Sequence, residues 1–155
     1  MNTALFIAAL GCGLIAGVFF AFSVCVMRAL GAQPAAQGIA AMQSINVVIL
    51  NRWFLTPFLG LAALGAVLAV VGVSRWSEPG APLIVAGGLL YALGSFGVTM
   101  RFNVPRNNAL AAVRPDSDEG ARLWAGYLDV WTRWNHVRGV ASLLAAAAFT
   151  AALAH

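Results

Sequence analysis

The chain from residue 131 to residue 154 reads WTRWNHVRGVASLLAAAAFTAALA. Its apolar part, Gly139 to Ala154, has sixteen uncharged residues. A helix that crosses a bilayer needs about 20 residues at ~1.5 Å each, so part of the polar, aromatic segment 131–138 must lie at membrane depth. Ionisable and amide side chains are costly there unless they face a protein interior or a wet cavity. This segment is therefore where we expect function.

The composition indicates an integral membrane protein. Of the 155 residues, 61% are hydrophobic and 9% are charged, whereas soluble domains carry about 25% charged residues. Four apolar windows predict a single four-span domain over residues 1–155, with spans at about 4–27, 54–74, 82–101 and 135–154. The predicted fold class is all-α: an antiparallel four-helix bundle in the membrane, with helices extended on the cytoplasmic side.

The arginines determine the expected topology. Four spans put both termini on one side of the membrane, together with the loop that carries Arg75 and Glu78. The other side has eight arginines and four acidic residues, and the positive-inside rule makes that side cytoplasmic. We expect a multi-pass protein of a bacterial-type inner (plasma) membrane, with both termini outside and the bilayer as its partner. The net charge of +4 comes from arginines scattered at span ends, which does not favour nucleic-acid binding.

Several residues mark expected helix ends. Asp116 and Glu119 have capping-box spacing, so a long helix is predicted to begin near Ser117. The second long helix is predicted to run from about residue 39 into the second span, bent by Pro57, and Pro105 is predicted to break the helix after the third span.

Small residues in the apolar windows predict close helix packing. They are Gly13, Gly17, Gly87, Gly88, Gly94, Gly97, Ala141, Ala145, Ala148 and Ala152. The glycine-rich faces are also compatible with a homo-oligomer.

The last helix separates into two faces when projected at 100° per residue. One face carries Trp124, Tyr127, Leu128, Trp131, Asn135, Arg138 and Ser142, and the opposite face carries Arg122, Asp129, Arg133 and His136. Aromatic rings bind planar ligands, and amide or guanidinium groups bind carbonyl or phenolate oxygens. The alternative is that tryptophan and arginine only anchor the helix at the membrane interface.

Two further segments place amides at the same membrane level. Gln43 and Asn46 lie on one face of the helix before the second span, and Asn103, Asn107 and Asn108 follow the third span. Together with the last helix they predict a pocket for a small planar aromatic or quinone-like ligand. No metal-ligand spacing, phosphate loop or Ser-His-Asp set is present, so no metal and no cofactor are predicted.

These segments resemble the anthrone oxygenase-like family of small four-span membrane proteins, much of which is described as a domain of unknown function. The resemblance lies in Gly13–Ser23, Met42–Asn46, Asn103–Leu110 and the spacing of Trp124, Tyr127, Trp131, Asn135 and Arg138. Arg28 departs from the family pattern, which has a proline after the methionine that closes the first span.

The resemblance implies an oxygenase that converts an anthrone to an anthraquinone with dioxygen and without an evident metal or flavin. The expected catalytic residues are Arg138, Asn135 and Asn103, and the expected substrate-binding residues are Asn46, Gln43, Asn107, Trp131, Tyr127 and Trp124. The general base is left open between water, Tyr127 and His136. The alternative functions are a non-enzymatic membrane subunit, a binding protein for a quinone-like or haem ligand, and a transporter.

Overall fold

Five helices make up the chain, and no residue lies in a strand. The computed structural model describes all 155 residues. The helices are α1 (Asn2–Gly31), α2 (Ala35–Val48), α3 (Arg52–Ser74), α4 (Ala81–Ala111) and α5 (Asp118–Ala152). The all-α prediction is confirmed.

Three of these helices, α1, α3 and α4, are long and apolar enough to cross a membrane. The α5 helix has 35 residues, but its N-terminal half carries both acidic and basic side chains. A fourth span within α5, at about 135–154, therefore stays a prediction.

The four long helices pack side by side. The α1 helix contacts α5 and α3, and α4 contacts α3 and α5. Leu5, near the start of α1, shares a core with Phe149, near the end of α5, and Leu68 of α3 shares it with Ile84 of α4. Neighbouring helices are therefore antiparallel. The shorter α2 covers the end away from the termini through a second apolar cluster: Met27, Ile39, Met42, Leu110, Trp124, Tyr127 and Trp131.

The expected continuous helix from residue 39 through Pro57 is wrong, because Asn51 separates α2 from α3. The Asn51 Oδ1 atom accepts hydrogen bonds from the backbone N–H groups of Trp53 and Phe54 at 2.9 and 3.2 Å, and its Nδ2 atom donates to the Val48 carbonyl at 2.8 Å. One side chain thus caps the start of α3 and the end of α2. Pro57 lies inside α3.

Pro105 does not break α4, which continues to Ala111. Two stretches before it, Leu90–Gly97 and Thr99–Asn103, are π-helical, and the Val104 N–H group donates to the Thr99 carbonyl. A wider turn moves the carbonyls away from their α-helical positions, so the helix tolerates a residue that lacks an N–H and whose ring would otherwise clash. The predicted break is therefore wrong. Such wide turns are frequent at functional sites.

The predicted start of the last helix near Ser117 is confirmed. The Ser117 Oγ atom accepts a hydrogen bond from the Gly120 N–H group at 3.0 Å, so Ser117 is the N-cap. Asp116 does not cap the helix, because its carboxylate accepts hydrogen bonds from Arg114 instead.

Close packing against a neighbouring helix is confirmed at Gly87, Gly88 and Gly94 of α4, but not at Gly97, whose Cβ would meet only the Ala92 carbonyl of the same helix. A Cβ atom on Gly88 would meet the backbone oxygen of Gly65 and lie 2.9 Å from the Ala69 Cβ atom. A Cβ atom on Gly94 would lie 2.6 Å from the Ala141 Cβ atom. Gly13 and Gly17 of α1 differ, because a Cβ built on either meets no atom of a neighbouring helix within 4 Å.

We expect Gly88→Ala to destabilise the packing of α3 against α4 by about 1–3 kcal/mol, the usual cost of overpacking. The measurement is the thermal unfolding midpoint of the detergent-solubilised protein. Gly60→Ala is the matched control, because a Cβ there meets nothing within 4 Å and alanine is the better helix former. A midpoint for Gly88→Ala at or above that of the wild type would contradict the close contact.

Candidate functional site

Arg138 is a buried cation held between aromatic rings. Only 7% of the residue's surface is exposed. Its guanidinium carbon lies 4.1 Å from the ring centre of Phe19 and 4.9 Å from that of Trp131. Both contacts are favourable cation–π geometries. The ion pairs of the structure are Arg75–Glu78, Arg114–Asp116 and Arg133–Asp129. Arg138 is in none of them, so its charge has no counter-ion in the protein.

Asn135 and Thr99 fix the orientation of the guanidinium. The Asn135 Oδ1 atom accepts hydrogen bonds from Nε and Nη2 of Arg138 at 2.9 and 2.7 Å, and the Thr99 Oγ1 atom accepts one from Nη1 at 3.3 Å. A guanidinium has five N–H groups, so two remain without a protein acceptor. An anionic or carbonyl oxygen of a ligand could accept both.

Asn135 is itself held firmly in place. Its Nδ2 atom donates to the Phe19 carbonyl and to the Ser23 Oγ atom, both at 2.6 Å. The side chain thus uses its acceptor for Arg138 and its two donors for α1. Because an amide and not a carboxylate holds the guanidinium, the positive charge of Arg138 is not neutralised.

A cavity of about 160 Å³ lies next to Arg138. All five helices and the α2–α3 turn contribute to its walls, and fourteen of the eighteen lining residues are hydrophobic. The polar lining residues are Asn46, Thr99, Asn107 and Arg138. The Nδ2 atom of Asn46 is buried and has no hydrogen-bond partner. A buried donor without a partner is costly, and an oxygen atom of a ligand in the cavity would relieve that cost.

Trp131 forms one wall of the cavity, and a hydrogen bond to Asn107 holds its ring in place. Its Nε1 atom donates to the Asn107 Oδ1 atom at 2.7 Å, and the Tyr127 hydroxyl donates to the same oxygen at 2.9 Å. The rings of Trp124, Tyr127 and Trp131 stack along α5, with successive ring centres 5.4 and 6.0 Å apart. Burial raises the pKa of the Tyr127 phenol, so at neutral pH this hydroxyl is protonated and does not serve as a base.

The predicted site residues divide into two groups. Arg138, Asn46, Asn107 and Trp131 line the cavity. The other five predicted residues do not line it: Asn135, Asn103, Gln43, Tyr127 and Trp124.

Two residues of the second group, Asn103 and Gln43, hold together the helices that carry the cavity-lining residues. Asn103 is fully buried and donates from Nδ2 to the Trp131 carbonyl at 3.2 Å, while its Oδ1 atom has no partner. Gln43 donates from Nε2 to the carbonyls of Leu110 and Val113 at 2.8 and 3.0 Å, which ties α2 to the end of α4.

His136 faces away from the cavity, as the helical projection predicts. It is exposed and lines a different depression, a surface groove of about 310 Å³ that Gly13 and Gly17 of α1 also line. No three His, Cys, Asp or Glu side chains come together in an arrangement that could hold a metal ion.

Sequence reasoning missed Thr99 and Phe19, which both contact Arg138. Thr99 could have been found, because Ser95, Thr99 and Asn103 recur every fourth residue in α4 and all three are buried. Phe19 gives no such signal, since it is one apolar residue among many in α1.

The chain belongs to the anthrone oxygenase family. The family model, described as anthrone oxygenase, matches residues 50–148, which is nearly two thirds of the chain. The matched segment includes Thr99, Asn107, Trp131, Asn135 and Arg138. The resemblance inferred from the sequence is thereby confirmed. Searches of the curated proteins and of the solved structures gave no match.

Proposed function

We propose that the protein oxidises an anthrone-like polycyclic phenol to a quinone with dioxygen, without a metal or an organic cofactor. The observation that carries the proposal is Arg138: a buried cation with no counter-ion and two free N–H groups, lining an apolar cavity. Family membership supplies the reaction class.

The first step is loss of a proton from the substrate. In an anthrone, the CH₂ group opposite the carbonyl is acidic because its conjugate anion spreads charge onto the carbonyl oxygen. Arg138 and the Asn46 amide would donate hydrogen bonds to that oxygen, as in an oxyanion hole, and the apolar walls would strengthen these interactions. A water molecule takes the proton, because Tyr127 is protonated and His136 lies on another face.

The second step uses dioxygen directly. The anion gives one electron to dioxygen, and the resulting carbon radical and superoxide combine to form a C–O bond at the former CH₂ carbon. The peroxide takes up a proton. The remaining hydrogen of that carbon then leaves as a proton while the O–O bond breaks and hydroxide departs, which forms the second carbonyl. One anthrone and one dioxygen give one quinone and one water, and no external reductant is needed.

We also propose the orientation of the protein in a bacterial-type inner membrane. The C-terminal half of α5 is the fourth span, both termini are outside, and α2 with the first half of α5 lies on the cytoplasmic side. The exposed arginines Arg52 and Arg101 support this orientation. It places the cavity at the cytoplasmic boundary of the bilayer.

The function can be tested with purified protein in lipid vesicles, emodin anthrone as substrate and an oxygen electrode. We expect dioxygen uptake well above that of protein-free vesicles, with one dioxygen consumed per quinone formed and no accumulation of hydrogen peroxide. Tight binding of the tricycle without extra dioxygen uptake would contradict the enzyme and favour a quinone-binding protein. A Soret band in the absorption spectrum of the purified protein would overturn the cofactor-free mechanism.

A further inference from the structure

Three apolar side chains in the cavity wall are also exposed on the outside of the molecule. They are Leu50, Leu59 and Met100, which are 65, 48 and 51% exposed. Leu50 lies in the turn between α2 and α3, Leu59 on α3 and Met100 on α4. Because the same side chains contact both the cavity and the exterior, they mark its mouth, in the cleft between α3 and α4.

The mouth lies on helices that are apolar enough to span a membrane. Arg101 directly follows Met100 and is exposed, as is Arg52 at the start of α3. Charged side chains at span ends stay near the headgroups. Leu59 lies seven residues beyond Arg52, which is about 10 Å deeper along the helix. The mouth would therefore face the acyl chains just below the headgroups.

The turn beside the mouth is apolar on its outer side as well. The exposed apolar residues in and around the turn are Val47, Val48, Leu50 and Trp53. Apolar and tryptophan side chains next to arginine are typical of a segment that sits in the membrane interface. Asn51 and Arg52 are exposed in the same stretch, so the outer side of this turn is suited to the membrane interface.

We propose that the ligand enters the cavity laterally from the bilayer, through the cleft between α3 and α4. The substrate would be a neutral aromatic molecule dissolved in the lipid, and it would become an anion only at Arg138. This inference rests on the proposed function and adds the route and the protonation state of its substrate. An ionised ligand would have to lose its hydration to pass Leu59 and Met100, which is costly.

Entry also requires the mouth to widen. The cavity volume of about 160 Å³ is below the ~300 Å³ at which pockets for drug-sized ligands begin, so a three-ring molecule needs side chains to move. Met100 is unbranched and flexible, as a movable side chain at a mouth should be.

The route can be tested by stopped-flow fluorescence on the full chain in lipid nanodiscs. The probe is 9,10-anthraquinone, a neutral tricycle that dioxygen does not oxidise, and its binding is followed by quenching of tryptophan fluorescence, since Trp131 lines the cavity. The double variant Leu59→Phe/Met100→Phe narrows the mouth without removing a polar group. We expect its association and dissociation rates to fall together, by about tenfold or more, with the dissociation constant nearly unchanged.

The matched control is Val67→Phe/Leu93→Phe, which changes exposed residues on the same two helices outside the cavity and should keep wild-type rates. Anthraquinone-2-sulfonate, a water-soluble anion, should bind at least about tenfold more slowly than the neutral probe. Unchanged rates in the mouth variant, or fast binding of the sulfonate, would overturn lateral entry. If lateral entry is overturned but Arg138→Met still weakens anthraquinone binding, the cavity beside Arg138 remains the proposed binding site. If the wild type binds no anthraquinone, both lateral entry and the proposed function fail.

Discussion

Replacement of Arg138 by methionine is expected to lower kcat for dioxygen-dependent quinone formation by about 10²- to 10³-fold, the usual loss when a donor of an oxyanion hole is removed. Methionine keeps most of the side-chain volume between Phe19 and Trp131 but removes the charge and the free N–H groups. Initial rates with emodin anthrone in vesicles, corrected for spontaneous oxidation, give the effect.

Arg133→Met is the matched control, because Arg133 lies on the same helix, is 74% exposed in its side chain and pairs with Asp129 at the surface. Its kcat should equal that of the wild type. Arg138→Lys should retain only a minor part of the activity, since an ammonium group does not reproduce the two bonds to Asn135 together with the free N–H pair. A folded Arg138→Met protein with a normal rate would remove the basis of the mechanism.

Asn135→Asp should be nearly as damaging, with an expected loss of about 10²-fold in kcat. Aspartate keeps an oxygen acceptor for Arg138, but it would pair with the guanidinium and cancel the charge that the substrate anion needs. It would also place a carboxylate oxygen against the Phe19 carbonyl, which now accepts a hydrogen bond from the amide.

The comparison with Asn135→Ala separates charge from structure. Alanine leaves Arg138 less well oriented but still positively charged, so its loss in kcat should be smaller than that of aspartate. If Asn135 served only to hold Arg138 in place, the order would be reversed, because aspartate preserves more of the hydrogen bonds. Rates of both variants, measured beside their thermal unfolding midpoints, give that order.

Helical periodicity predicted the buried face of α5 well. Trp124, Tyr127, Trp131, Asn135 and Arg138 are all buried, while His136 is exposed, because a regular helix of this length keeps a constant angle between successive residues. Periodicity gives the face of a residue but not its depth. Asn135 and Arg138 share the buried face, but Arg138 lines the cavity, whereas Asn135 holds the Arg138 guanidinium.

The errors lie where the backbone departs from a regular α-helix. Asn51 ends one helix and caps the next, whereas the residue pattern on both sides of it favours one continuous helix. A proline such as Pro105 normally ends a helix, and the wide turn that lets α4 continue packs against α5. Such packing is not visible in a single sequence.

The wide turns of α4 also determine where this part of the chain can change in length. Each π-helical turn holds about one residue more than an α-helical turn, so removing one residue there would restore regular α-helix and leave the side chains beyond it facing the same way. Asn107 would then keep its hydrogen bond with Trp131. Removing one residue from a regular α-helical turn would instead rotate everything beyond it by about 100°. Between residues 90 and 103, loss of a single residue should therefore disturb the cavity less than the same loss elsewhere in α4.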